Sequence, residues 1–413
     1  MRSENLVILC DNYPNSAGEF FIDDELRIIN SKFDKIIVLT GSEKETGLNR
    51  FVPDNLKTES FNAGTGFFEK LNALPFVFTG FFLNEIRWAV KTKKAKLSWI
   101  LLKVVFMDMV RANEVKKKLR SLIKENSLKA DNTIFYSYWH DYKALALASL
   151  HKEKVIRHAV ARAHRWDVYF DVNKFPFLPF KRFIIENLDI TIPVSNDAKE
   201  ELLKLSPEND KKILVSRLGK INSFEPRFEK PDNSFLICSC SNIIPVKRIP
   251  LIIESLSKIK SRNVTWIHFG DGNLRKQTEM LAGEKLKNIQ LEFKGIVSNE
   301  EIMEFYRNHF VDLFINLSES EGIPVSIMEA LSAGIPIIAT NVGGTSEAVD
   351  NKNGFVVDRE INSEKVSEII EMYINFDVSV QGEYRKNAYD SWKEKYNGEK
   401  NYLLFFDLLS NLK

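Results

Sequence analysis

Apolar residues gather along this chain in short runs of Val, Ile, Leu and Phe. Between the runs they return every three or four positions among polar ones. The first pattern suits strands buried on both faces, the second amphipathic helices. One set of runs lies at 6–10, 35–40, 133–138, 155–161, 190–194 and 213–216. A second lies at 235–240, 265–269, 289–293, 313–317, 335–339 and 355–357. Two successive sets of strands alternating with helices predict an α/β fold class: two doubly wound, Rossmann-like domains, each a parallel sheet with crossover helices.

The polar stretch from Ser223 to Ser234, with Pro226 and Pro231, reads as the linker. The first domain is therefore expected at 1–222 and the second at 223–385, with a helical C-terminal segment at 386–413. In that segment Trp392, Tyr396, Tyr402, Leu403 and Phe406 are spaced to bury one face. The residues 41–132 interrupt the first set of runs. Within 66–130 stand fourteen Lys or Arg against five Asp or Glu, a net +9. Leu74, Phe76, Phe78, Phe81, Trp88 and Trp99 lie among them, and Lys103 and Asp108 break the apolar stretches, so no bilayer span forms. Two readings stay open for this insertion 66–130. It packs on the domain with its lysines solvated, or it lies as amphipathic helices in an anionic membrane interface, with Lys116, Lys117 and Lys118 among the lipid contacts.

Composition narrows the class. The 413 residues are 44% hydrophobic and 28% charged, ordinary values for a globular chain. A net charge of +2 shows no excess of the kind that nucleic-acid binding needs, so no nucleic acid is expected as a partner. Cys238 and Cys240 alternate along one run and face the same side. With Cys10 they read as reduced core thiols, which implies a cytoplasmic compartment. The first apolar run, Leu6 to Cys10, is too short for a signal peptide.

The chemistry concentrates in one segment, Ser318 to Leu331, which reads SESEGIPVSIMEAL. Glu321 stands on a loop after a strand. Pro324 fits the first turn of a helix, and Glu329 lies nearly two turns inside it. This is the carboxyl side of a strand, where ligands bind in open α/β sheets. A helix N-terminus favours a phosphate, which carboxylates would repel, so the two glutamates have another task. Ionised carboxylates accept from neighbouring hydroxyls, which makes vicinal diols their natural partners. A sugar for one and a ribose for the other, with a diphosphate between, is a nucleotide sugar.

The segment from Ser318 to Val357, with Ala339-Thr340-Asn341-Val342-Gly343-Gly344 and Asn353-Gly354-Phe355, resembles family 4 of the retaining glycosyltransferases. The likeness is tight from Phe235 to Val357 and looser from Leu6 to Leu218. It implies a GT-B fold, with the two domains facing across a cleft and the C-terminal helix returning to the first. It also implies that Glu321 contacts the donor sugar, with Gly322 and Ile323 beside it, and that Glu329 contacts the ribose. In Ser241-Asn242-Ile243-Ile244-Pro245-Val246-Lys247-Arg248, Lys247 matches the family's phosphate-binding Lys. Asn242 stands in place of its Arg, and Arg248 in place of a Gly. The departure leaves open whether Arg248 replaces the missing Arg. Gly295 and Ile296 match a loop that holds the base, and Gly18 a loop that approaches the diphosphate or the acceptor.

The run Arg162-Ala163-His164-Arg165-Trp166-Asp167 is similar to a family run whose His faces the donor sugar, which gives His164 a hydrogen-bonding role. Asp167 caps the next helix, or orients His164 or the acceptor. Trp139 and His140, past the third run, are expected to line the acceptor site. No Asp-x-Asp or His/Cys cluster carries metal spacing, so neither a catalytic metal nor a cofactor is expected.

The expected activity is transfer of a sugar, with retention, from a UDP- or GDP-sugar to a glycan or lipid-linked oligosaccharide in surface polysaccharide biosynthesis. The enzyme would work in the cytoplasm or peripherally on the inner face of the membrane. The alternatives are a nucleotide-sugar epimerase or hydrolase on the same scaffold, and a non-catalytic sugar-nucleotide-binding subunit.

Overall fold

The computed structural model describes residues 5–16, 18–41, 50–62, 66–93, 95–125, 128–170, 173, 175–261 and 263–412. Ala17, Lys94 and residues 126–127, which belong to segments singled out above, lie outside them. The chain divides into two compact units, 1–218 with 402–413, and 219–401.

The first unit holds β1 Asn5–Cys10, β2 Lys35–Thr40, β3 Leu56–Ser60, β4 Thr133–Ser137, β5 His158–Ala163 and β6 Ile190–Pro193. They form a six-stranded sheet in the order β3-β2-β1-β4-β5-β6. All neighbours are parallel, with Leu6 of β1 opposite Ile36 of β2 and Ile134 of β4. Helices cover the sheet, which is why β1 from Leu6 to Cys10 and all of β4 are buried whichever way their side chains alternate.

The second unit repeats this plan. It holds β7 Phe235–Cys240, β8 Val264–Phe269, β9 Gln290–Gly295, β10 Leu313–Asn316, β11 Ile337–Thr340 and β12 Gly354–Val357. Their order, β12-β11-β10-β7-β8-β9, is that of the first sheet. In each, the first strand of the set sits centrally, and the crossover direction reverses beside it: between β1 and β4, and between β7 and β10. A crevice opens at the carboxyl ends of such a pair.

Three features differ from the sequence expectation. The run 213–216 makes only an isolated bridge, Ile213 to Thr191. The edge strand β3 falls instead in the polar LKTES stretch. An edge strand has one free flank and a wet face, so it carries no apolar run to betray it. The division between units lies at 218/219, ahead of the polar stretch, where Lys220 N–H donates to Tyr396 O at 2.9 Å and Gly398 N–H to Lys220 O at 3.1 Å. The helix Val378–Lys395 belongs to the second unit. Its Arg385 donates to the carbonyls of Val311 (2.5 Å) and Arg227 (3.0 Å).

Only the chain from Tyr402 onward joins the first unit. There the buried stripe is Tyr402, Phe405 and Leu409, and Leu403 is exposed. Phe405 lies against Tyr136 at 5.3 Å between centroids and under the guanidinium of Arg162 at 4.2 Å. Arg162 is itself fully buried, bonded to Glu25 (2.8 Å), the Tyr136 hydroxyl (2.9 Å) and Ser216 O (2.9 Å). Among the described residues no helix is long and apolar enough to cross a membrane.

Candidate functional site

In the second unit three loops converge past the carboxyl ends of β7, β10 and β11. Glu319 N–H donates to Val246 O at 2.8 Å, which ties the second loop to the first. The Thr340 hydroxyl donates to Ser318 O at 2.5 Å, which ties it to the third. Gly343 takes φ +52°, and a Cβ there would lie 2.0 Å from Glu321 O. Only glycine allows this approach.

On this frame Glu321 and Lys247 meet. The Lys247 ammonium donates to Glu321 Oε1 at 2.5 Å, and Asn316 at the end of β10 reaches the same oxygen at 3.5 Å. The pair is not sealed, for the side chains keep 20% and 10% exposure. A pair that solvent still reaches parts at less cost than a sealed one. A phosphate could therefore take Lys247 from Glu321 at small cost.

Glu329 lies in the helix Val325–Ser332, which Pro324 precedes as the N-cap residue rather than within the first turn. It is 1% exposed, yet not alone. Asn299, the first residue of the helix Asn299–Asn308, donates its amide to Glu329 Oε1 at 2.5 Å, and Lys220 Nζ stands 3.7 Å from the same oxygen. The two glutamates are thus set alike, each beside one lysine and one asparagine amide. Ser298 and Glu301 form the capping box that starts Asn299's helix, bonded at 3.2 and 2.7 Å.

Arg248 is placed otherwise than its proposed substitution for the family Arg requires. Its Nε donates to Leu317 O and its Nη1 to Arg359 O, both at 2.6 Å, and burial lowers its pKa. Its backbone has φ +48°, the left-handed conformation that a glycine would hold without strain. The side chain that came with this position closes the loops together instead of reaching outward. Asn242 is exposed at the mouth of its loop. Gly295 has φ +72° at the end of β9, its carbonyl accepting from Gly270 N–H at 2.8 Å, and Ile296 beyond it is 86% exposed. Gly322 and Ile323 are half-buried beside Glu321.

The first unit carries a different arrangement past β1, β4 and β5. Gly18 has φ +106°, as a close approach requires, but the loop turns on its own neighbour. The Glu19 carboxylate accepts from the amides of Asp11 (2.8 Å), Asn12 (2.8 Å) and Tyr13 (2.9 Å), and from the Trp139 indole N–H at 2.5 Å. Arg50 closes the loop from outside, on the carbonyls of Ser16, Gly18 and Glu19.

Asp167 is fully buried, and its two oxygens accept from His164 N–H and His140 N–H, both at 2.6 Å. It is a clasp between two loops, and through His164 N–H it caps the helix Arg165–Val168. Burial pushes its pKa up to about 7. His140 is interior rather than on an acceptor surface. Its ring lies 3.3 Å from the Thr191 hydroxyl and 3.4 Å from the Lys181 ammonium, and burial pushes its pKa well down. Burial explains the difference, since the segment 140–148 is buried nearly throughout.

His164 is 9% exposed, its Nε2 3.1 Å from Tyr138 O, and its ring lies 4.6 Å from that of Trp139. Burial, then the Arg162 charge, pushes its pKa down to about 3, so the ring is neutral and Nε2 carries the proton. Trp139 is partly exposed and also meets Trp166 at 5.2 Å.

The residues that sequence reasoning missed are Glu19, Arg50, Asn299, Asn316 and Lys220. Asn299 lies within a capping box and Asn316 ends a strand, local signals that were available. Arg50 and Lys220 act through contacts distant in sequence, which no local pattern encodes. Among the described residues no three His, Cys, Asp or Glu side chains are grouped to hold a metal ion.

Comparison with known proteins places this geometry. Residues 221–391 match the model of the family described as glycosyl transferases group 1. The chain is 26% identical over 318 residues to the O-antigen biosynthesis glycosyltransferase WbnH of Escherichia coli, an alignment covering 71% of this chain and 87% of that one. It is 28% identical over 178 residues to a putative colanic acid biosynthesis glycosyltransferase, WcaL, of Escherichia coli, covering 41% and 44%. Among solved structures, Anabaena HepE in complex with UDP and glucose superposes with TM-score 0.66 at 15% identity, covering 99% of this chain and 100% of that one. At that identity the likeness is one of fold: two Rossmann-like domains of the GT-B type.

Proposed function

We propose, from the premise that residues 221–391 form a glycosyl transferases group 1 domain, that this chain is a retaining, metal-independent transferase. It moves a sugar from a nucleotide-diphosphate sugar to a glycan or lipid-linked acceptor in surface-polysaccharide biosynthesis. The pathway follows the O-antigen assignment of WbnH. The donor class follows the diol-accepting glutamates and the UDP held by HepE, which ranks a UDP-sugar before a GDP-sugar.

The observation that carries the reading is the matched setting of the two glutamates. Glu329, nearly sealed and steadied by Asn299 and Lys220, is suited to accept from a ribose diol. Glu321 is held by a lysine that a diphosphate competes for. On donor binding Lys247 turns to the phosphate, and Glu321 is released to accept from the sugar hydroxyls. In the reaction the bond between the anomeric carbon and the phosphate oxygen breaks. The acceptor oxygen bonds to the same face of that carbon, and the acceptor proton passes to the departing phosphate. Lys247 then stabilises the charge on the leaving group, and the rest is positioning. His164, neutral, serves as a hydrogen-bonding group rather than a nucleophile.

Calorimetric titration with UDP-, GDP- and ADP-sugars tests the proposal. One of them should bind, and Glu329→Ala should weaken it by roughly 1–3 kcal/mol, the cost of leaving a diol without its acceptor. Unchanged affinity in the folded variant would remove Glu329 from the ribose. Arg248's commitment to backbone carbonyls supports a second reading, a binding subunit without turnover. Binding without transfer to any acceptor extract would favour it.

A further inference from the structure

The insertion supplies an interaction surface that the transferase reading does not use. Among the described residues, half of the exposed large hydrophobic ones, ten of twenty, fall between Phe67 and Ile100. In the helix Phe67–Ala73 and the turn Leu74–Phe78, the exposed positions are Phe67, Phe68, Leu71, Leu74 and Phe78. They recur at helical spacing, and the buried Ala73 marks the opposite, inward side. Trp99 and Ile100, 77% and 55% exposed, begin the helix Trp99–Lys124, with Leu97 just before it. Leu101 and Val105 on the inward side of that helix, with Phe82 and Ala89 of the helix Gly80–Lys91, already stand in the domain core. The outer apolar residues are therefore surplus to folding.

Charge says what covers them. Between 67 and 103 the sequence has seven Lys or Arg against two Glu. Lys91, Lys96 and Lys103 are exposed beside the apolar positions. The two acids are turned to local tasks, Glu85 on Phe180 N–H at 2.7 Å and Glu69 on the Asn62 amide at 3.0 Å. A second copy of the chain would bring this basic face against itself, which like charges disfavour.

We infer that the face formed by Phe67–Phe78, Lys91 and Lys96–Lys103 docks on an anionic lipid bilayer. The aromatic side chains sit in the interfacial zone, and the lysines lie at the level of the headgroups. The placement also corrects the residues expected from sequence. Lys116, Lys117 and Lys118 lie about four to five turns further along the helix Trp99–Lys124 and are paired with Glu153 (2.7 Å), Glu114 (2.7 Å) and Glu59 (3.0 Å).

Sedimentation of the full chain with phosphatidylcholine vesicles, with and without phosphatidylglycerol, tests the inference. The protein should sediment only with the anionic vesicles and be released by high salt. Combining Phe67→Ser, Phe68→Ser and Trp99→Ser should weaken partition about tenfold or more, as should combining Lys91→Glu, Lys96→Glu and Lys103→Glu. All six positions except the partly screened aromatic edges face solvent, so circular dichroism and nucleotide-sugar binding should not change. Combining Lys116→Glu, Lys117→Glu and Lys118→Glu should change partition less than about twofold. Equal recovery in the supernatant with both vesicle types would overturn the inference. So would a wild-type dimer that the aromatic variant converts to a monomer, since the occupant would then be a second copy.

Discussion

The two sheets share one strand order, and past the strand pair where that order reverses each unit gathers charged side chains. In the first unit the groups are closed upon themselves. Glu19 takes three backbone amides, Asp167 takes two, and Lys143 lies fully buried on Asp11 (2.6 Å) and Asp141 (2.7 Å). In the second unit Lys247 and Glu321 stay within reach of solvent, and the nearly sealed Glu329 accepts from the Asn299 side-chain amide with Lys220 3.7 Å away. Charges bonded to backbone amides set loop shape and are costly to free. A charge pair that solvent reaches parts at less cost than a sealed one, such as that of Lys143. The same topology thus yields a scaffold in one unit and an exchangeable site in the other.

The sharpest break of this contrast is Glu321→Gln. Loss of the carboxylate proposed to face the reacting sugar should lower turnover by about 10²–10³-fold while nucleotide affinity changes little. Steady-state kinetics beside calorimetry reads both. If free nucleotide diphosphate binding collapsed while turnover of bound donor persisted, the roles of Glu321 and Glu329 would be exchanged.

Next comes Asp167→Asn in the first unit. An amide cannot accept from both loops through two oxygens, so about 1–3 kcal/mol of stability should be lost, together with the placement of His164. The pH dependence carries a sign. The carboxyl pKa is raised in the folded state, from an ordinary 3.8 to about 7. The folded protein therefore binds more protons between these values. The contribution is fully present below about 4 and is lost as pH rises through about 7. Glu85 and Asp108, also raised to about 7 by burial, act in the same direction. Calorimetric melts should show a lower midpoint at pH 8 than at pH 5, and Asp167→Asn should narrow that gap. A gap unchanged in the variant would mean that Asp167 is ionised throughout.

The smallest expected effect tests the border between the two kinds of group. Arg248→Gly relieves a left-handed backbone, worth about 1–2 kcal/mol, and gives up two bonds to carbonyls of similar total value. Stability should move by about 1 kcal/mol or less, and nucleotide affinity less than about twofold. A loss of affinity tenfold or greater would return Arg248 to the phosphate site.

Much of this was readable beforehand. Most strands of both sheets and the loop-helix pair of glutamates follow from runs and spacings in the sequence, because buried parallel strands and helix starts leave local signatures, and Lys247 was marked by the family resemblance. Strand β3 was not readable, since LKTES at a wet edge looks like a loop. Nor was the fate of His140 and Arg248: a polar residue after a strand has the same local pattern whether it faces a ligand or a carbonyl.

By itself, then, the sequence determined the alternation of strand and helix, the doubled domain and the positions where carboxylates and cations follow a strand. Only the tertiary structure decided which of those charges are consumed in holding loops and which remain exchangeable. It decided, too, that the lysines at 116–118 are paired while the aromatic residues at 67–78 and 99 are not buried. The reason is physical. Periodicity depends on residues a few positions apart, whereas a side chain's partner and exposure depend on what packs against it from elsewhere in the chain, as Arg50 does on the Gly18 loop and Lys220 beside Glu329.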